Sequence, residues 1–432
     1  MMNRRIFAGI AIFLITAASA RAQGAPPIPA ALAPAPAAPG AFDVKAATDA
    51  YLAKMTPDQK ARSDAYFEGG YWLQLWDFLC GAAIALLLLG LRWSAKMRDL
   101  AERVSRFKAV HAILYWTQYI VVATLLGFPL AVYEGYFREH QYGLATQTFG
   151  PWLGDQAKGL MVGIVGGGIL VTALFAIVRK LGRSWWLWGA GVTSVFFALG
   201  GMIAPVFIFP LFNTYTKLGD PKVRDPILSM ARANGIAASD VYQVDASRQS
   251  TRASANVSGF GSTMRITLND NLLKRSTPEE VKAVMGHEMG HYVLNHVYNG
   301  TFFFAVFFVA TFAFLRSSLE WAIGRWGARW DVRGVTDLAV LPLAVLLMSA
   351  FIFVMTPVLN TFVRTQEFEA DMYGINASGQ PDGFAEAMLK LGEYRKMDPT
   401  PLEEFLFYDH PSGRTRITAA MRWKAEHLLP QP

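Results

Sequence analysis

Six stretches of about 20 predominantly apolar residues constrain this 432-residue chain more than any other feature. They lie at about 71–92, 109–133, 158–178, 185–212, 301–323 and 338–359. A helix of that length matches the hydrocarbon core of a bilayer, and a helix satisfies its own backbone donors and acceptors there. Trp and Tyr concentrate near several of the ends, where interfacial aromatics sit. The chain is therefore read as mostly α, a polytopic membrane protein. Its 53% hydrophobic and 17% charged residues fit that class and not an ordinary soluble enzyme. Pro205 and Pro210 interrupt the fourth run, which predicts a kink or break near its end. The single cysteine, Cys80, lies inside the first run, so one chain can hold neither a disulfide framework nor a cysteine-ligated metal.

The N-terminus carries Arg4 and Arg5, the apolar stretch Ile6–Ala18 and Ala20-Arg21-Ala22. A charged start, a short apolar run and an A-x-A site outline a secretory signal peptide over residues 1–22, with an uncleaved first membrane helix as the competing reading. Residues 24–40 are almost entirely Ala, Pro and Gly, a composition that buries no core and predicts a linker. The net charge of +7 would favour nucleic acid in a soluble protein, but here much of it sits in short loops. Arg92, Lys96, Arg98, Arg103, Arg106 and Lys108 follow the first span. Arg179, Lys180 and Arg183 follow the third, and Arg316, Arg325, Arg329 and Arg333 follow the fifth. Positive loops mark the cytoplasmic side, so the segments 213–300 and 360–432 are expected on the opposite face, the periplasm of a bacterial inner membrane. No nucleic-acid partner is expected.

The polar segment 213–300 reads as a small α/β element. Pro221–Asn234 is amphipathic and ends at Gly235, while Val241–Val244 and Met264–Leu268 alternate as strands, joined by a Ser/Ala/Gly-rich connection. Thr277-Pro278-Glu279-Glu280 supplies an N-cap threonine, a proline at the first helical position and a capping-box glutamate. The helix that starts there carries His287-Glu288-Met289-Gly290-His291. Histidines four apart lie on one helix face and reach one metal, with Glu288 beside the first of them placed to act on water at that metal. The expected organisation is thus 1–22 signal or first helix, 23–64 linker and lead-in, 65–212 a four-span membrane domain, and 213–432 a zinc peptidase domain that includes two further spans.

A hydrolytic zinc needs a third protein ligand. The candidate is Glu367 in Gln366-Glu367-Phe368-Glu369-Ala370-Asp371, where Glu367 and Asp371 share a helix face. One can bind metal while the other accepts from a ligand imidazole. Glu369 is the rival ligand, although its spacing to Asp371 places the two on different faces. His410-Pro411-Ser412 and Arg416 form a third cluster, with an imidazole suited to a developing oxyanion and a guanidinium suited to a carboxylate. His296, five residues past His291, is read as pointing elsewhere on the helix. His111, His140, His296 and His427 are all read as structural.

With these clusters the chain resembles the integral-membrane CAAX prenyl protease family of zinc metallopeptidases, from about residue 65 to 420. The loop Tyr133–Leu144 with Gln147-Thr148 and Trp152–Lys158 is similar to that family's, as are Ile203-Ala204-Pro205 to Pro210-Leu211-Phe212-Asn213 and Asp245-Ala246-Ser247-Arg248. The resemblance implies a helical membrane chamber around a zincin-like α/β domain with one zinc. It implies Glu367 as the third ligand, Asp371 and Arg416 as its support, and His410 as a transition-state donor. The strand that pairs with substrate in that family usually carries Asn-Ala-Tyr. Here Ser254, Ala255 and Asn256 stand there, with serine in place of asparagine.

Together these readings describe a zinc endopeptidase that cleaves membrane-associated or hydrophobic proteins, with Glu288 as proton carrier. The alternative is a non-catalytic membrane chaperone or scaffold that retains a structural zinc. A transporter is disfavoured by the scarcity of charges inside the spans.

Overall fold

The computed structural model describes residues 42–259 and 264–428. The signal-peptide and linker readings for residues 1–40 lie outside them. Among the described residues six helices are long and apolar enough to cross a membrane: Pro57–Gly90, Lys108–Gln141, Phe149–Lys180, Gly182–Leu211, His296–Trp330 and Leu338–Ser378. Each contains almost all of one expected apolar run and extends past it, because polar turns continue the helix beyond the apolar stretch. The interruption expected from Pro205 and Pro210 takes the form of a π-helical turn, Ala204–Ile208, followed by a 3₁₀ turn, Phe209–Leu211. A proline has no N–H for the regular ladder, and these turns absorb the loss without ending the span.

In chain order the elements that position the site are α1 (Val44–Leu52), α2 (Pro57–Gly90), α3 (Trp93–Val104), α4 (Lys108–Val132), α5 (Phe149–Lys180) and α6 (Trp185–Ile203). Then come β1 (Tyr215–Lys217), α7 (Pro221–Ala233), β2 (Val241–Val244), β3 (Ala255–Ser258) and β4 (Arg265–Asn269). The last are α8 (Pro278–Val293), α9 (His296–Trp330), α10 (Leu341–Ser378), α11 (Pro381–Leu391), α12 (Pro401–Phe407) and α13 (Gly413–His427). One end of the bundle is tied by the buried Arg98 of α3. Its guanidinium donates to Asp337 at 2.7 Å and to the carbonyl of Asp331 at 2.8 Å, joining α3 to the loop after α9. The motif helix α8 sits at the other end of α9, since His296 begins that helix and Asp331 follows its last residue.

The sheet has strand order β1-β2-β4-β3, with β2 and β4 parallel and both outer pairs antiparallel. β2 spans the expected residues and β4 runs one residue later than expected. The Ser/Ala/Gly-rich connection holds a strand, β3, where the family resemblance implies one, and it forms one end of the sheet. Its approach is clamped by the loop between α4 and α5. Ala145 bridges Ser250, and the Thr251 N–H donates to the Leu144 carbonyl at 3.0 Å.

Helix α8 buries two faces. Val281, Met285 and Met289, at i, i+4 and i+8, enter a core with Ile236, Ile266, Leu268 and Leu272 from the sheet side. Gly286 and Gly290 face α10 so closely that a Cβ on Gly286 would stand 2.7 Å from the carbonyl oxygen of Gly374, and one on Gly290 3.1 Å from the Cα of Ala370. The lead-in residues 43–56 are not extended: α1 packs through Val44, Ala47, Tyr51 and Leu52 against the core of α11 and α13. Hydrogen bonds from Tyr51 to Asp382 (2.6 Å) and from Arg414 to Asp49 (2.7 Å) hold it there.

Candidate active site

The site forms where α8 and α10 run antiparallel through their glycine contact. The expected cap of α8 is present: Thr277 accepts from the backbone of Glu280, the Glu280 side chain returns to the backbone of Thr277, and Pro278 opens the helix. This fixes where the helix begins, and therefore which residues face α10. With Gly286 against Gly374 and Gly290 against Ala370, His287 falls beside Asp371 and His291 beside Glu367. The Nε2 atoms of the two histidines are 3.1 Å apart, and Glu367 lies 3.2 Å from the first and 3.5 Å from the second. One donor atom from each of His287, His291 and Glu367 lies within 4.8 Å of the others.

The surroundings leave these atoms free to converge. His287 Nδ1 bonds Asp371 at 2.8 Å, and Arg416 Nε donates to the other oxygen of the same carboxylate at 2.8 Å. His291 Nδ1 is also occupied. Glu367 Oε2 is buried without a hydrogen-bond partner among the described residues, although the Nε2 atoms of His287 and His410 stand 3.2 Å away without hydrogen-bond alignment. A buried carboxylate oxygen without a donor is costly. Two imidazole nitrogens and a carboxylate oxygen aimed at one point form a donor set that fits a divalent cation of the zinc type.

Charge follows from this geometry. Burial alone would lower His287, but the carboxylates of Asp371 and Glu367 outweigh it and raise it to about 10. Burial and the neighbouring His287 push His291 down to about 4. Glu288 is raised to about 7, first by burial and then by the charge of Glu367. A carboxyl group with a pKa near neutrality suits a group that takes and returns protons.

The structure brings His287, Glu288, His291, Glu367, Asp371, His410 and Arg416 into one cluster. Among the expected residues Ser254, Ala255 and Asn256 lie apart from it, at the start of β3, a strand that packs along α8. One reading made from the sequence needs correction. His296 does not point away from His291: its Nδ1 is 2.9 Å from that residue's Nδ1. The reason is a break in the helix, because α8 ends at Val293 and Asn295 takes a left-handed conformation (φ 59°) before α9 starts. Asparagine between the two histidines was the available signal, being among the residues that tolerate this conformation. Glu369, considered as a rival ligand, faces His296 at 3.2 Å instead.

Comparison with known proteins agrees with this geometry. The model for "Peptidase family M48" matches residues 217–424, and that for "CAAX prenyl protease N-terminal, five membrane helices" matches 44–214. The metalloprotease YhfN of Bacillus subtilis is 28% identical over 76% of this chain and 77% of its own. CAAX prenyl protease 1 of Saccharomyces cerevisiae is 26% identical over 69% of each. The crystal structure of Ste24p from S. mikatae shares the fold, with a TM-score of 0.72 at 22% identity over 85% of this chain and 89% of its own. With the two family models spanning both the membrane bundle and the site, the chain belongs to the integral-membrane CAAX prenyl protease family of M48 metallopeptidases and is a membrane-embedded metalloendopeptidase.

Proposed function

We propose that the chain is a zinc-dependent endopeptidase of a bacterial inner membrane that cleaves membrane-associated or hydrophobic proteins, with one zinc per chain. The observation that carries this reading is the convergence of His287, His291 and Glu367 on one point, with the carboxylate of Glu288 on the same helix. Zinc bound there would supply Lewis acidity, polarising the scissile carbonyl and acidifying water. Glu288 takes the proton from water and delivers it to the leaving amine. Asp371, itself held by Arg416, keeps the proton of His287 on Nδ1 and its Nε2 lone pair toward the site. His410 gives its Nδ1–H to Asp409 at 2.7 Å and turns Nε2 toward the site, so it donates to the oxyanion from Nε2 as the doubly protonated imidazolium, with Asp409 balancing its charge.

Substrate binds as an added strand on β3 in this reading. Among the described residues β3 pairs only with β4. Asn269 N–H donates to the Ser254 carbonyl at 2.9 Å, and Ser254 N–H donates to the Asn269 side chain at 3.1 Å, so Ser254 faces β4. Alternation then turns the N–H and C=O groups of Ala255 and Val257 to the open edge, and those of Asn256 inward. An extended peptide gains main-chain bonds there whatever its side chains. The bacterial relative and the loop charges support the inner membrane, with the site on the periplasmic face. The division into a four-span domain over 65–212 and a peptidase domain over 213–432 belongs to the same proposal. Glu288→Gln tests the whole reading: the variant in membranes should retain zinc, lose cleavage and accumulate uncleaved substrates. Normal peptidase activity in that variant overturns the mechanism.

A further inference from the structure

The two histidines of the motif are held by different means. His287 reaches a carboxylate directly, through Asp371. Among the described residues His291 Nδ1 reaches one only through His296, whose Nδ1 stands 2.9 Å from His291 Nδ1 and whose Nε2 stands 3.2 Å from Glu369 Oε2. His296 is 4% exposed, and Glu369 lies at the surface of α10. We propose that His296 and Glu369 are positioning residues that fix the proton of His291 on Nδ1, and so turn its Nε2 lone pair toward the metal. This rests on the reading of His291 as a metal ligand and extends it to a pair of residues outside the motif.

The assignment follows from matching donors to acceptors. Glu369, as a carboxylate, only accepts, so the proton of a neutral His296 belongs on Nε2. His296 Nδ1 then carries a lone pair, and the atom facing it, His291 Nδ1, must carry the proton. That leaves Nε2 of His291 bare, on the edge that faces His287 and Glu367. The opposite order would place an N–H of His291 against the other ligands and a lone pair of His296 against a carboxylate. The two Nδ1 atoms face each other at 2.9 Å with the ring centroids 5.0 Å apart, as an N–H of one ring directed at the in-plane lone pair of the other would place them. The 72° between the planes is a rotation that such a bond allows. The backbone serves the same end. The left-handed turn at Asn295 brings the first residue of α9 back over the last turn of α8.

The test uses the full-length protein in detergent, and reads zinc release to a chromophoric chelator together with the visible spectrum of the cobalt-substituted form. His296→Phe keeps an aromatic ring without its nitrogens, and zinc release should quicken about tenfold or more, with altered cobalt bands. His296→Asn sets an amide oxygen where Nδ1 stood, and should recover most of the loss. Glu369→Gln, at a surface position that folding tolerates, should give a smaller increase of a few-fold. Wild-type release and spectrum in the Phe variant overturn the proposal, as does an Asn variant no better than Phe. Should the Phe variant fail to fold, wild-type release from Glu369→Gln overturns it. A His291→Ala variant that holds zinc as tightly as wild type overturns the ligand reading itself, a separate failure.

Discussion

His287 Nδ1 lies 2.8 Å from Asp371, a carboxylate with no exposure to solvent, and the guanidinium of Arg416 closes on the same group. The carboxylate thus has two tasks, orienting an imidazole and neutralising a buried cation. Asp371→Asn can still accept from His287 but leaves Arg416 uncompensated. Zinc affinity should fall about 10–100-fold by chelator competition. Asp371→Leu should cost about 3–5 kcal/mol of stability, because it strands a buried guanidinium. The double change with Arg416→Leu should restore much of the stability and none of the affinity. A single change that leaves both quantities at wild-type level contradicts the dual role.

A second prediction concerns the glycines that set the distance between the ligand-bearing helices. A Cβ on Gly374 would stand 2.4 Å from the backbone nitrogen of His287, and backbone cannot swing aside as a side-chain tip does. Gly374→Ala must therefore separate α8 from α10. A loss of about 1–3 kcal/mol is expected, as for overpacked cores, with faster zinc release because Glu367 leaves with α10. Gly191→Ala is the control, since nothing lies within 4 Å of that position. It should be neutral or slightly stabilising, as alanine favours helix more than glycine does. An unchanged unfolding midpoint and zinc release rate in Gly374→Ala would show that the contact does not set the spacing.

These two cases mark where the sequence is legible. The spans, the capped start of α8 and the acids on α10 follow from local rules of length, capping and helical spacing, and each can be read from the residues. The meeting of Gly286 with Gly374 is a contact between helices 88 positions apart (374 minus 286), and nothing local in either glycine announces its partner. The failure at His296 has a different cause. Extending α8 by its own periodicity carries that residue to another face, and only the left-handed turn at Asn295 returns it. The edge strand β3 is legible through the family resemblance but not through its own residues: its Ser/Ala/Asn-rich composition carries a weak strand signal, and its pairing with β4 supplies what propensity lacks.

Proton release on metal binding gives a third prediction. In the metal-free protein His287, raised to about 10, is protonated at neutral pH, whereas His291, lowered to about 4, is neutral. A ligand imidazole must be deprotonated, so zinc displaces the proton of His287. Calorimetry at about pH 8.5, where Glu288 with its value of about 7 is already ionised, should register about one proton released per zinc. The sign for stability follows from the same shift. A group raised from 6.5 to about 10 contributes stability below its unfolded value and loses it as pH rises through the folded value. The metal-free protein should therefore lose stability between pH 6.5 and 10, and His287→Gln should flatten that slope. Zinc binding with no proton release at about pH 8.5 would rule out a protonated His287.

The open edge of β3 gives the last prediction, from two neighbouring positions treated alike. By alternation the N–H of Val257 points away from β4, while that of Asn256 points into the ladder opposite Thr267. A proline at either position removes one donor. Val257→Pro removes a donor that has no partner among the described residues, so the unfolding midpoint should stay close to wild type. Peptide binding should weaken by one main-chain bond, about 0.5–1.5 kcal/mol, or roughly two- to tenfold in KM. Asn256→Pro breaks the pairing with β4 and should lower the unfolding midpoint. Steady-state cleavage of an extended peptide, measured beside thermal unfolding for both variants, separates the two effects. Equal KM values for Val257→Pro and wild type would mean that substrate does not pair with this edge.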